Sequence, residues 1–130
     1  DISPASQSEK ADALRWAFWV VTEVEKDALT VLMHRLAMPE AERRAELAEA
    51  AEKRLKGPLT ILEQHLNDQQ GQGQSMLAAM RFTIADLCVA SVLSWARAAD
   101  QTFWDVYPIT QSWLRACLAR PAYKQARGMP

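Results

Sequence analysis

The sequence predicts an all-α fold, and three observations carry that expectation. Glycine is scarce, at 4 residues in 130. No segment alternates apolar and polar residues as a half-buried strand would, and helical periodicity recurs along nearly the whole chain. The length suits one domain, and an apolar content of 49 % is enough to build a core. A formal net charge of −1 leaves no basic footprint for a polyanion, so no nucleic-acid partner is expected. The longest apolar stretches contain Asp, Glu or Arg, so none reads as a membrane span. The chain opens on Asp1 with no secretory signal, and is read as a piece of a longer cytoplasmic protein.

The first helix is expected to start after Ser6. Ser6-Gln7-Ser8-Glu9 has the form of a capping box, with a serine oxygen for an early N–H and a glutamate reaching back to the cap. Met38-Pro39 stops it near Leu36. A helix of roughly 30 residues spans about 45 Å, long for a globular domain. Ala17, Val21, Val24, Ala28 and Leu32 form its predicted stripe. The segment from Trp16 to Val21 is apolar on every side, so it needs cover from its own domain and from something else. A second helix is expected from Pro39, with a stripe of Leu47, Ala51, Leu55, Leu59, Leu62 and Leu66 and a kink at Gly57-Pro58. Its charged first half, Glu40 to Lys56, reads as a solvated face. The polar run from Asn67 to Ser75 is a hairpin loop.

The third helix, Ile84 to Ala99, has the composition of a helix buried inside a bundle; only Asp86, Ser91, Ser94 and Arg97 interrupt it. Its start is heavily specified. Thr83 takes the N-cap and Asp86 the third helical position, an acidic variant of the capping box, while Phe82 and Leu87 are placed as a hydrophobic staple. A fourth helix begins at Pro108 and carries Ile109, Trp113, Ala116 and Cys117 on one face. A short fifth, with Tyr123 and Ala126, opens at Pro121. The expected fold is a bundle of about five helices.

Cys88 and Cys117 lie in apolar helical patterns without metal-ligand spacing. Packed, reduced thiols are the simplest reading; a disulfide between them or a reactive nucleophile are the alternatives. His34 and His65 are far apart, lack ligand spacing, and are placed near helix ends, where positive charge is favourable. No metal is expected.

Met76-Leu77-Ala78-Ala79-Met80-Arg81-Phe82-Thr83-Ile84-Ala85-Asp86-Leu87 resembles the "yLxGxxFTxADl" signature of the glutathione transferase carboxyl-terminal domain. Tyr107-Pro108 with Trp113-Leu114, then Ala119-Arg120-Pro121-Ala122-Tyr123, resembles that family's closing segment. Arg15-Trp16 with Thr22-Glu23 is similar to the first helix of bacterial members. Ala79 stands where the family commonly has glycine. The resemblance implies that an amino-terminal thioredoxin-like domain, outside this chain, binds glutathione and supplies the catalytic Ser, Tyr or Cys. It implies that this helical domain shapes the pocket for a small hydrophobic electrophile and contributes to a homodimer. No catalytic residue is expected in the chain itself.

The resemblance points to Trp16, Trp19 and Trp95 as pocket residues. A tryptophan there would present a flat apolar wall with one N–H donor, suited to an electrophilic aromatic substrate. Packing in the core or between domains is the alternative for each. Asp12 and Arg15 precede them on a stretch whose polar residues reach towards glutathione in similar proteins; plain solvent exposure is the alternative. Thr83 and Asp86 are read as structural. Two functions are weighed: part of an enzyme that conjugates glutathione or reduces its mixed disulfides, and a protein–protein interaction module like those appended to translation factors and aminoacyl-tRNA synthetases.

Overall fold

The computed structural model describes residues 5–74, 76–77 and 82–121. Every regular element among them is helical. The first is a long rod: α1 (Gln7–Trp19), a π-helical turn (Val20–Val24), α2 (Glu25–Leu32) and a second π-helical turn (Met33–Ala37). After a short 3₁₀ turn (Glu40–Glu42) comes α3 (Ala45–Gly71). Then follow α4 (Ile84–Leu93), continued as 3₁₀ turns over Ser94–Ala98, the single-turn α5 (Gln101–Trp104) and α6 (Pro108–Leu118). The all-α expectation holds. The expected last helix with Tyr123 and Ala126 lies outside the described residues, as does Ala79.

The rod begins as its capping residues dictate. Glu9 N–H donates to Ser6 Oγ over 3.1 Å, while the Glu9 carboxylate reaches one residue further back than expected, accepting from Ala5 N–H at 3.0 Å. Its buried stripe differs from the predicted one. Trp16, Val20, Val24, Ala28 and Val31 face the core, whereas Val21 is 55 % exposed and Ala17 and Leu32 are only half-buried. From Trp16 to Ala28 the buried positions run at i+4. Such a row drifts around a 3.6-residue helix, and a π turn, with more residues per turn, brings it back. The turn at Val20–Val24 therefore keeps Trp16 and Ala28 over the same core.

The chain between the rod and α3 does not continue as a helix from Pro39, contrary to expectation. Pro39 is extended (φ −52°, ψ 140°), and α3 starts only at Ala45. Polar side chains fix this reversal. Arg43 donates through Nε to the Met38 carbonyl (2.8 Å) and through Nη2 to the Leu36 carbonyl (2.7 Å), satisfying acceptors that the end of the rod leaves open. Arg44 N–H donates to His34 Nδ1 at 3.1 Å. Beyond it, α3 passes through Pro58 without ending. Its buried row is Ala48, Ala51, Leu55, Leu59, Leu62 and Leu66; Leu47, expected inside, is 37 % exposed. Arg35 pairs with Glu52 through two hydrogen bonds of 3.0 Å each, and Arg54 with Asp27 at 2.8 Å, joining rod to α3.

At the centre, α4 packs against α1, the first π turn, α2 and α6. No residue from Ile84 to Ala96 is exposed. The helix gives way to 3₁₀ turns before the expected end at Ala99. Asp86 is fully buried and organises the start. Its Oδ2 accepts from Thr83 N–H (2.9 Å) and Thr83 Oγ1–H (3.3 Å). Its Oδ1 accepts from Leu77 N–H (2.9 Å) and from Trp113 Nε1–H on α6 (3.0 Å). Phe82 is buried under the Arg120 guanidinium, whose Cζ lies 5.0 Å from its ring centroid, and Leu87 packs on the core. The buried face of α6 is Thr110, Trp113, Leu114 and Cys117; Ala116 is exposed and Ile109 half-buried.

Removing the Asp86 carboxylate leaves buried donors from Leu77, Thr83 and Trp113 without an acceptor. Asp86→Ala is expected to lower the unfolding free energy by about 3 kcal/mol or more, and Trp113→Phe, which removes one donor, by about 1–2 kcal/mol. Denaturant titration reads both; midpoints equal to that of the parent would contradict the arrangement.

Candidate functional site

Two of the aromatic residues singled out in the sequence lie on α1 at the edge of the core, Trp16 buried and Trp19 half-buried. Trp16 and Trp19 meet edge to face, with ring centroids 5.2 Å apart and planes at 82°. This arrangement suits the positive edge of one indole and the negative face of the other. Arg15 lies over the Trp16 ring, its Cζ 5.2 Å from the centroid. With Ile61 of α3 these three residues line an open cleft of about 130 Å³. The helical spacing accounts for it: Arg15, Trp16 and Trp19 share one side of the rod, and Ile61, 59 % exposed, comes from the helix alongside. Asp12 is held by Arg15, with Nη2 to Oδ1 at 3.6 Å on the surface. Trp95 lies elsewhere. It sits half-buried in the 3₁₀ segment, packed against the core, and does not line this cleft.

One neighbour of the cleft was not legible in advance. His65, expected near a helix end, lies inside α3, its ring centroid 4.7 Å from that of Trp16. Its Nε2 donates to the Leu77 carbonyl at 2.6 Å. The signal was faint: on α3 His65 is one turn from Ile61, and a long-range ring contact leaves no local pattern.

Around this face the rod is more apolar than a solvated helix should be. Leu14 is 69 % exposed and Phe18 73 %, with Val21 beside them. This is the segment whose apolar surface runs all the way round, and the bundle covers one side of it only.

The remaining reactive groups are quiet. Cys88 and Cys117 are free thiols, half-buried and buried, and burial raises the pKa of both, most for Cys117. Among the described residues no group of three or more His, Cys, Asp or Glu side chains is placed to hold a metal ion. Nor is any helix long and apolar enough to cross a membrane.

The match to known proteins agrees with the all-helical fold. The family model for the glutathione S-transferase C-terminal domain matches residues 24–121. The chain belongs to the glutathione S-transferase family and corresponds to its all-helical domain. No curated protein sequence matches it. Among solved structures it is similar to a possible glutathione S-transferase from Rhodopseudomonas palustris, at 22 % identity and a TM-score of 0.74, covering 92 % of this chain and 52 % of that one. It is also similar to glutathione S-transferase III in its apo form, at 24 % identity and a TM-score of 0.76, covering 98 % and 58 %. A third is glutathione S-transferase-I bound to lactoylglutathione, at 20 % identity and a TM-score of 0.74, covering 92 % and 56 %. At these identities the likeness is one of fold. The chain spans little more than half the length of these structures.

The buried Cys117 thiol gives a test of the packing beneath α6. The folded state holds the Cys117 proton more tightly than the unfolded chain does. Stability is therefore unaffected below the ordinary thiol range and falls as pH rises through it, because the unfolded thiol ionises first. Between about pH 8 and pH 10 the parent should lose stability more steeply than Cys117→Ala. Iodoacetamide should label Cys117 only after unfolding. Rapid labelling of Cys117 in the folded protein would contradict the buried, protonated thiol.

Proposed function

We propose that the chain is the helical part of a cytoplasmic glutathione transferase that joins glutathione to small apolar electrophiles. In this reading Trp16 and Trp19 form one wall of the electrophile's pocket, and Arg15 and Asp12 stand at its glutathione-proximal side. Trp95, which stands outside this cleft, is a second candidate for the electrophile's pocket. A thioredoxin-like domain preceding Asp1 binds glutathione, lowers its thiol pKa and completes the cleft.

The observation that carries the reading is the edge-to-face tryptophan pair facing an open cleft beneath a guanidinium. Two indoles present a rigid apolar surface at little entropic cost, and cleft walls of this kind suit flat apolar ligands. The exposed Leu14, Phe18 and Val21 add a second argument. An exposed apolar strip of this kind is expected to be covered, here by the preceding domain and by a second subunit of a homodimer. The lactoylglutathione held by a structure of similar fold fits a glutathione co-substrate for the parent protein.

Conjugation requires a thiolate, and forming one requires a donor or positive dipole held against the sulfur. In this proposal neither comes from the helical domain. Calorimetric titration of the 130-residue chain with glutathione should therefore give no saturable heat. The chain extended upstream should conjugate glutathione to an apolar aromatic electrophile. In that protein Trp16→Ala and Trp19→Ala should raise KM for the electrophile by roughly tenfold, the scale of one lost ring contact, with little change in KM for glutathione. Saturable glutathione binding by the chain alone would place the glutathione site in this domain. An inactive extended protein would favour a non-catalytic interaction module of the same fold.

A further inference from the structure

We propose that His65 is a positioning residue of the cleft, fixing the orientation of Trp16 and tying that indole to the peptide of Leu77. The inference rests on reading the Trp16–Trp19 wall as a binding face. Trp16 is 5 % exposed, yet its Nε1 has no hydrogen-bond partner among the described residues. No hydrogen bond among the described residues therefore sets the indole; the exposed Arg15 guanidinium lies over its ring, and beneath it the orientation depends on packing, the neighbouring rings above all. Trp19 is one of them, half-buried and on the same helix. His65 is the other, arriving from α3 with its plane tilted 52° to the indole.

His65 is anchored where Trp16 is not. A carbonyl oxygen only accepts, so the 2.6 Å contact to Leu77 places the proton on Nε2. The imidazole cannot turn without giving up that bond. Leu77 is itself fixed from both sides of its residue. It is 1 % exposed, its N–H donates to Asp86 Oδ1 at 2.9 Å, and its carbonyl also accepts from Gln69 Nε2 at 3.2 Å. The wall of the cleft is thus referenced, through one imidazole and one residue's backbone, to the carboxylate at the start of α4. A plain apolar side chain at position 65 would fill the space without orienting its neighbour.

Two substitutions separate the parts of this arrangement. His65→Phe keeps an aromatic face and loses the donor. His65→Gln keeps a donor of similar reach and loses the ring. The readouts, on the folded 130-residue chain, are the indole ¹H–¹⁵N resonance of Trp16, assigned with Trp16→Phe, and the affinity of 8-anilinonaphthalene-1-sulfonate for the cleft. Leu114→Ala, a core truncation on α6, is the control for lost stability alone. The parent should show one sharp Trp16 resonance that moves on titration. Both His65 variants should broaden or split it and weaken the probe roughly three- to tenfold, while Leu114→Ala changes neither. An unchanged Trp16 resonance in both variants would overturn the proposal, as would equal effects from Leu114→Ala. A parent resonance that ignores the probe would instead remove the binding-face reading, and the comparison of unliganded resonances would still decide the role of His65. Should His65→Phe fail to fold, His65→Gln reads the same ring contact.

Discussion

A single buried carboxylate holds this domain in register. Asp86 sits at the third position of the central helix with no exposed surface, where an unpaired charge would be costly. It persists because donors converge on it from three separate parts of the chain: Thr83 at the cap, Leu77 before it and Trp113 on α6. The first N–H groups of a helix buried inside a bundle cannot turn to water. A carboxylate at this point answers that need and also ties down the approach to the helix and the helix behind it. The same demand recurs at α6. Pro108 has no N–H to offer, and the next two, from Ile109 and Thr110, donate to the Glu63 carboxylate of α3 at 3.1 and 2.8 Å. Two acidic residues therefore lock the start of two helices, one from within its own helix and one from a neighbour.

The cleft on the rod depends on this scaffold at one remove. The π turn at Val20–Val24 keeps the i+4 row of Trp16, Val20, Val24 and Ala28 over the core, so that Phe18 faces outward and Trp19 lies half-buried at the edge. Across the cleft, α3 contributes Ile61 and His65, and Leu77 connects His65 to Asp86. The aromatic wall of the cleft is thereby built on packed helices, which hold side chains more firmly than loops do.

The parts of the fold that were legible in the sequence were those written in local pattern. The α4 start at Thr83, the α6 start at Pro108 and the inward row of α3 from Ala51 to Leu66 follow from caps, proline and periodicity. The parts that were not legible depend on contacts distant in sequence or on departures from the 3.6 period. The π turns moved the rod's stripe to Trp16, Val20 and Val31, away from Ala17, Val21 and Leu32. Arg43 and His34 fixed an extended link where Pro39 alone suggested a helix start. The one-turn α5 was announced only by Asp100, whose side chain accepts from Phe103 N–H at 3.1 Å. For the cleft, the family resemblance pointed to Trp16, Trp19 and Arg15, and helical spacing accounts for their lying together, whereas His65 arrives from another helix and Trp95 sits apart in the 3₁₀ segment.

Leu77 gives the most direct measure of whether the Asp86 carboxylate organises the domain. It precedes α4 and belongs to no regular element, so its amide would ordinarily exchange with solvent as fast as a surface loop's. Native-state hydrogen exchange read by NMR reports that amide separately from the helices. If Asp86 holds it, the Leu77 N–H exchanges only through global unfolding, with protection matching the core amides of α4, and loses that protection in Asp86→Ala, which has no side-chain acceptor. Fast exchange of Leu77 in the parent, with α4 still protected, would contradict the account.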